Sequence, residues 1–185
     1  MLGLMQDWPL TVEKVIDHAK ANFPRREVVT RSVAGPITRS DYGAIWANAK
    51  RVTNAFRARG VKLGDRVATL AWTTDRHMEV WYGAMNMGAV LHTVNPRLFP
   101  EQIAWIINHA EDKVLFFDAT FLPIIEKIAP LLKSVEAYVV LSDRSDMPKT
   151  ALPNATNYED FIAGQSTEAQ WGGFDEQTAC GLCYT

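Results

Sequence analysis

The sequence predicts an α/β fold: a mostly parallel sheet with helices on both faces, preceded by a small N-terminal hairpin. Two observations carry this. From about residue 67 onward, short apolar runs alternate with stretches of helical spacing, the order that right-handed crossovers between parallel strands produce. The runs KVLFFD and AYVVLSD are apolar almost throughout, as strands buried on both faces are, and do not alternate polar with apolar.

The elements follow from periodicity and punctuation. Leu10 to Ala21, with Val12, Val15, Ile16 and Ala19 on one stripe, reads as an amphipathic helix capped by Thr11 and ended near Pro24. Glu27 to Arg31 and Pro36 to Arg39, around Ala34-Gly35, read as a hairpin. Ser40 or Asp41 caps a longer helix whose apolar set is Tyr42, Ile45, Trp46, Ala49, Val52 and Phe56, closing at Gly60.

The alternation begins there. Strands are expected at Val67–Trp72, Ala89–Val94, Val114–Phe117 and Ala137–Leu141, and helices at Asp75–Met87, Pro100–Ala110 and Leu122–Leu132. Residues 142–157, rich in Ser, Asp and Asn and broken by Pro148 and Pro153, read as a surface loop. Asn157 to Ala163 reads as a short helix, Gln165 to Asp175 as a polar, mobile stretch, and the closing TACGLCYT as one more strand. There is no internal repeat and no low-complexity tract.

At 185 residues, 48% hydrophobic and 22% charged, the chain can bury a core that needs no disulfides. Nineteen Lys+Arg against 21 Asp+Glu, with no basic run of five, argue against a nucleic-acid surface. Arg25-Arg26, Arg57 and Arg59 read as solvated. No apolar stretch approaches the roughly 20 residues of a membrane helix, and MLGLMQDWPL has no basic segment before an apolar block. With two cysteines only, this suggests a cytoplasmic protein.

Few residues advertise chemistry. Cys180 and Cys183 have redox or metal spacing but no second ligand pair and no helix start, so two buried structural thiols are expected. His18, His77, His92 and His109 are scattered, with no acidic partner at fixed spacing. His92, in HTVNPRL, is expected at a strand end, where open α/β sheets bind ligands or simply turn. TLAWTTDRH lacks the glycines of a dinucleotide loop, and neither GxSxG nor a complete Walker loop occurs. The six tryptophans read as core and interface filling. Asp118 and Asp143 follow strands but lack the acidic cluster or flavin loop that a stand-alone flavodoxin-like binding module would need.

Several stretches together resemble the N-terminal portion of the adenylate-forming acyl-CoA synthetase (AMP-binding) superfamily. These are ITRSDYGAIWANAKRVTNAF, LGDRVATLAW, YGAMNMGAVLHTVNPRL and INHAEDKVLFFD, in the family's order. GAVLHTVNPRL and NHAEDKV look most like the branch acting on medium- and long-chain fatty acids and 3-methylmercaptopropionate.

The resemblance implies an ATP-dependent acid–thiol ligase. Carboxylic acid, ATP and CoA give acyl-CoA, AMP and pyrophosphate through an acyl-adenylate, with Mg²⁺ offsetting phosphate charge. It also implies that residues 1–185 are the N-terminal part of an adenylation domain, cut just before a Ser/Thr- and Gly-rich phosphate loop that begins at Tyr184-Thr185. Thr185 is then the single candidate site residue, touching ATP phosphate or Mg²⁺, and no catalytic residue lies within the 185. A homodimer is expected, as is inactivity of the isolated chain. An inactive structural homologue is the remaining alternative.

Overall fold

The computed structural model describes residues 1, 3–5, 7–33 and 35–185, so Ala34 of the expected hairpin turn lies outside the described residues. Its elements are α1 (Glu13–Asn22), β1 (Glu27–Arg31), β2 (Ile37–Asp41), α2 (Tyr42–Ala58), β3 (Arg66–Leu70), α3 (Asp75–Met85), β4 (Val90–Thr93), α4 (Pro100–Ala110), β5 (Val114–Phe117), α5 (Leu122–Ile128), β6 (Ala137–Val140), β7 (Ala155–Asn157), α6 (Tyr158–Ile162) and β8 (Gly181–Leu182). β1 and β2 form the expected antiparallel hairpin. The other strands make one parallel sheet in the order β7-β6-β5-β3-β4-β8.

The inner strands β3, β5 and β6 each feed two cores. On β5, Val114 and Phe116 pack with α2, α3 and α6, whereas Leu115 and Phe117 pack with α4 and α5. All four are buried, the physical reason that this run shows no alternation. On the first face Phe56, Phe116 and Phe161 meet edge to face, with centroids 5.1 to 5.6 Å apart. α2 and α3 approach closely because position 83 is glycine; a Cβ there would lie 2.5 Å from Val52 Cγ1.

Local chemistry sets the helix ends. Asp41, not Ser40, caps α2, its Oδ1 accepting from Ala44 N at 2.8 Å. Gly60, at φ 77°, turns the chain out of that helix. Asn157 caps α6 in the same way, accepting from Asp160 N at 2.8 Å.

Four expectations are corrected. Thr11 is not a cap: its hydroxyl donates to Glu13 Oε1 at 2.5 Å, and the N-cap is Val12, with no side-chain bond. The helix expected to reach Leu132 ends at Ile128 and continues as a 3₁₀ turn over Ala129–Leu131, since Pro130 has no N–H for an α-helical bond. The loop over 142–157 contains β7, which adds to the free edge of β6 through Tyr138↔Ala155, Val139↔Thr156 and Val140↔Asn157. Three residues, two of them polar, carry no periodicity to read.

Finally, Gln165–Asp175 has no helix or strand, yet it is laced to α2. Asn54 Nδ2, Lys50 Nζ and Arg57 donate to the carbonyls of Ser166, Ala169 and Gln170 at 2.9, 2.7 and 2.6 Å, and Trp171 Nε1 donates to Thr53 Oγ1 at 2.8 Å. The Lys50 ammonium also lies 3.7 Å from the Trp171 ring centre, and burial lowers its pKa.

Candidate functional site

In a parallel sheet the carboxyl ends of the strands point to one edge, and ligands bind where neighbouring connections leave on opposite faces. Here that divide falls between β3 and β5: the connection leaving β3 runs through α3 on one face, and the connection leaving β5 runs through α5 on the other. The loops beyond the two strands are tied together. Trp72 N donates to Asp118 Oδ2 at 2.6 Å, and Trp72 Nε1 donates to Thr120 Oγ1 at 3.2 Å. Burial raises the Asp118 pKa, partly opposed by the Trp72 amide.

Arg76, in the first turn of α3, reaches the end of β6, donating to Leu141 O at 3.2 Å and pairing with Asp143. Above them, hairpin residues Ser32, Gly35 and Pro36 help to enclose a cavity of about 460 Å³. Both strand-end acids are therefore engaged in joining loops. Among the described residues no group of three or more His, Cys, Asp or Glu side chains could hold a metal ion.

Along the same edge lies the end of β8, and there the structure places Thr185. β8 pairs with β4 over only Leu91↔Gly181 and His92↔Leu182. Thr185 stands three residues beyond that pairing, exposed, beside a groove of about 450 Å³ formed with Leu98, Gln102, Trp105, Ile106 and Tyr184. A free hydroxyl following a parallel strand suits a phosphate oxygen or a hard cation, which prefers oxygen donors, but it offers one ligand and no more.

Side chains beneath Thr185 form a continuous set. Tyr184 packs on His92 with centroids 5.1 Å apart, and its Oη is 2.6 Å from His109 Nδ1. Trp105 stacks on His109 at 4.7 Å. His92 stands one residue before the end of β4, as expected near a strand end, but it is fully buried there, with Nδ1 2.6 Å from Asp112 Oδ2. Burial raises the Asp112 pKa against the opposing bond from His92.

The matching family model, that of the AMP-binding enzymes, covers residues 16–185. This chain belongs to the AMP-binding enzyme family. Over all 185 residues it is 44% identical to the 3-methylmercaptopropionyl-CoA ligase of Ruegeria lacuscaerulensis and 40% identical to the medium-chain-fatty-acid–CoA ligase of Ectopseudomonas oleovorans. It spans 34% of the length of each. Among solved structures, an anthranilate CoA ligase in complex with anthranoyl-AMP superposes with a TM-score of 0.81 over 98% of this chain and 34% of that one, at 23% identity. That likeness establishes a shared fold with the N-terminal subdomain of adenylate-forming enzymes.

In this AMP-binding subdomain several residue readings change. Cys180 is half-buried and Cys183 exposed, because β8 is an edge strand with nothing described beyond it to cover the thiols. The tryptophans do not fill the core: Trp8, Trp72, Trp81 and Trp105 are exposed, and Trp46 and Trp171 sit half-buried where α2 meets the segment after α6. Arg59 is not simply solvated, since its guanidinium lies 4.3 Å from the Phe161 ring centre.

His77 is a satisfied structural histidine. Its Nδ1 faces the Trp72 carbonyl at 3.0 Å, which requires a proton there, leaving the Nε2 lone pair to accept from Trp81 Nε1 at 2.9 Å, with Thr69 Oγ1 also 2.9 Å away. Burial lowers its pKa, favouring that neutral form.

Two acids escaped sequence reasoning. Asp112 in NHAEDKV reads as an ordinary helix-to-strand turn. Glu79 lies on an amphipathic helix, where an acid usually faces water. Yet Glu79 is buried, accepting from Tyr158 Oη at 2.5 Å and Asn48 Nδ2 at 2.8 Å, and burial pushes its pKa up to about 7.

Proposed function

We propose that residues 1–185 are the N-terminal part of the adenylation domain of an ATP-dependent acyl-CoA ligase acting on a medium- or long-chain fatty acid or on 3-methylmercaptopropionate. The observation that carries this reading is the family match over residues 16–185 together with 44% identity to a named 3-methylmercaptopropionyl-CoA ligase. Family membership also sets aside the stand-alone flavodoxin-like module. The parent converts acid, ATP and CoA to acyl-CoA, AMP and pyrophosphate by way of an acyl-adenylate.

In this reading the sheet is a positioning device. Thr185, at the carboxyl edge, contributes a hydroxyl to an ATP phosphate oxygen or to Mg²⁺, which would supply charge neutralisation there. The remaining phosphate donors, the metal ligands and the groups that bind acid and CoA belong to residues that follow Thr185. The 185-residue chain by itself is inactive, and the parent is a cytoplasmic homodimer.

The test is acyl-CoA formation from purified protein with ATP, Mg²⁺ and CoA, offering octanoate, palmitate and 3-methylmercaptopropionate. The longer protein is expected to turn over at least one of these and the 185-residue chain none. A longer protein inert toward all carboxylic acids, yet folded, would instead support the inactive homologue, and turnover by the short chain would overturn the division of labour described above.

A further inference from the structure

We propose that the buried pair His92–Asp112 is the anchor that sets the position of the β8 end and, through Tyr184, of the Thr185 hydroxyl. The need for an anchor follows from the backbone. The central strands β3 and β5 pair over four residues on each side, but β8 pairs over two and on one side only. Two registers of parallel pairing cannot fix where a hydroxyl three residues further on will stand.

Side chains supply what the ladder lacks. Asp112 is rigidly placed, because the chain leaves α4 through Glu111 in the left-handed region (φ 54°) and Asp112 N bonds back to Ile107 O at 3.2 Å before β5 begins. Its Oδ2 accepts a hydrogen bond from His92 Nδ1 at 2.6 Å, which fixes the imidazole plane. The Tyr184 ring packs against that imidazole, tilted by 46°, and its hydroxyl is held by His109 on α4. The series Asp112, His92, Tyr184, His109 thus ties β8 to both β4 and α4 immediately before Thr185. Arg66, whose guanidinium engages Ala110 O and Glu111, adds a favourable field at Asp112.

A packing role alone does not account for the pair. Both residues are fully buried, yet His92 Nε2 and Asp112 Oδ1 have no hydrogen-bond partner among the described residues. Apolar side chains of the same volume at both positions 92 and 112 would fill the space without leaving a buried acceptor unmet. What the imidazole adds is a defined orientation. The placement of β8 stands on geometry alone, while its use in catalysis rests on the ligase reading.

Hydrogen exchange on the 185-residue chain tests the anchor. His92→Phe keeps a ring against Tyr184 and removes the donor; Tyr184→Leu leaves the buried pair intact and cuts the link to it. Both are expected to raise exchange of the residue 180–184 amides and of Leu91 at least ten-fold, with β5 and β6 amides unchanged. Should His92→Phe unfold the chain through the stranded carboxylate, the double variant His92→Phe/Asp112→Leu restores folding but not protection of β8. Exchange at 180–184 staying within two-fold of the parent sequence in Tyr184→Leu and the folded His92 variant overturns the anchor.

In the longer enzyme, the same variants are expected to raise KM for ATP at least ten-fold and to leave KM for the acid within two-fold. Equal rises in both, or neither, contradict positioning of Thr185. Absence of any ATP-dependent activity in the unmodified enzyme defeats the ligase reading and leaves the exchange result to judge the anchor.

Discussion

β5 and β8 belong to the same parallel sheet and are held by different physics. β5 has a strand on each side, four registers with each neighbour, and four buried side chains shared between two cores. β8 has one neighbour, two registers, and a glycine and a half-buried leucine as its paired residues. The first is defined by burial of apolar area; the second by a few oriented polar and aromatic contacts. The comparison teaches that the stable part of this subdomain is its centre, whereas the residue nearest the proposed chemistry follows its weakest strand, as sites that must accommodate a ligand often do.

The largest expected effect tests the strong side. Phe116→Ala removes a ring in contact with Phe56 and Phe161 at zero exposure, and a loss of about 3–5 kcal/mol is expected in denaturant unfolding. Leu182→Ala, on β8, is expected to cost less than about 1 kcal/mol, since its side chain is only half-buried. Comparable losses at the two positions would erase the contrast.

Next comes pH. Glu79 joins α3 to α6 through Tyr158, and burial raises its pKa from 4.5 to about 7. The folded state therefore holds the proton more tightly than the unfolded chain. The stability it contributes is fully present below pH 4.5 and is lost as pH rises through 7. Glu79→Gln abolishes that ionisation, so at pH 8 it is expected to be more stable than the parent sequence, by up to about 3 kcal/mol, with the gap closing toward pH 5. Thermal melts at pH 5, 7 and 8 check both sign and window; a gap that widens at low pH would reverse the assignment.

A smaller effect belongs to the segment after α6. Lys50→Met removes the bond to Ala169 O and the cation over Trp171, and a global loss of about 1–2 kcal/mol is expected, with faster proteolytic cleavage between residues 165 and 175. Unchanged cleavage there would mean that Asn54 and Arg57 suffice. The smallest concerns association: the free side of β8 and exposed Phe99 and Trp105 are expected to give concentration-dependent self-association in light scattering, which a lysine at Cys183 lowers.

What the sequence determined by itself was whatever depends on neighbours in the chain. Pro100–Ala110 and Val114–Phe117 were legible to the residue, because a proline at a helix start and a short apolar run are local signals. The family was legible too, from motifs kept in order over most of the chain, and the proposal for Thr185 rests on them. Tertiary structure decided what depends on distant partners. It added Ala155–Asn157 to an open sheet edge, tied Gln165–Asp175 to α2, and exposed the cysteines on an edge strand.

Above all it joined His92 to Asp112 and Glu79 to Tyr158, pairs 20 and 79 residues apart. Periodicity reports which way a side chain faces, and the energy of a buried polar group is set by which other polar group meets it there. That meeting is a property of the packed elements and has no signature in either residue's own stretch of sequence.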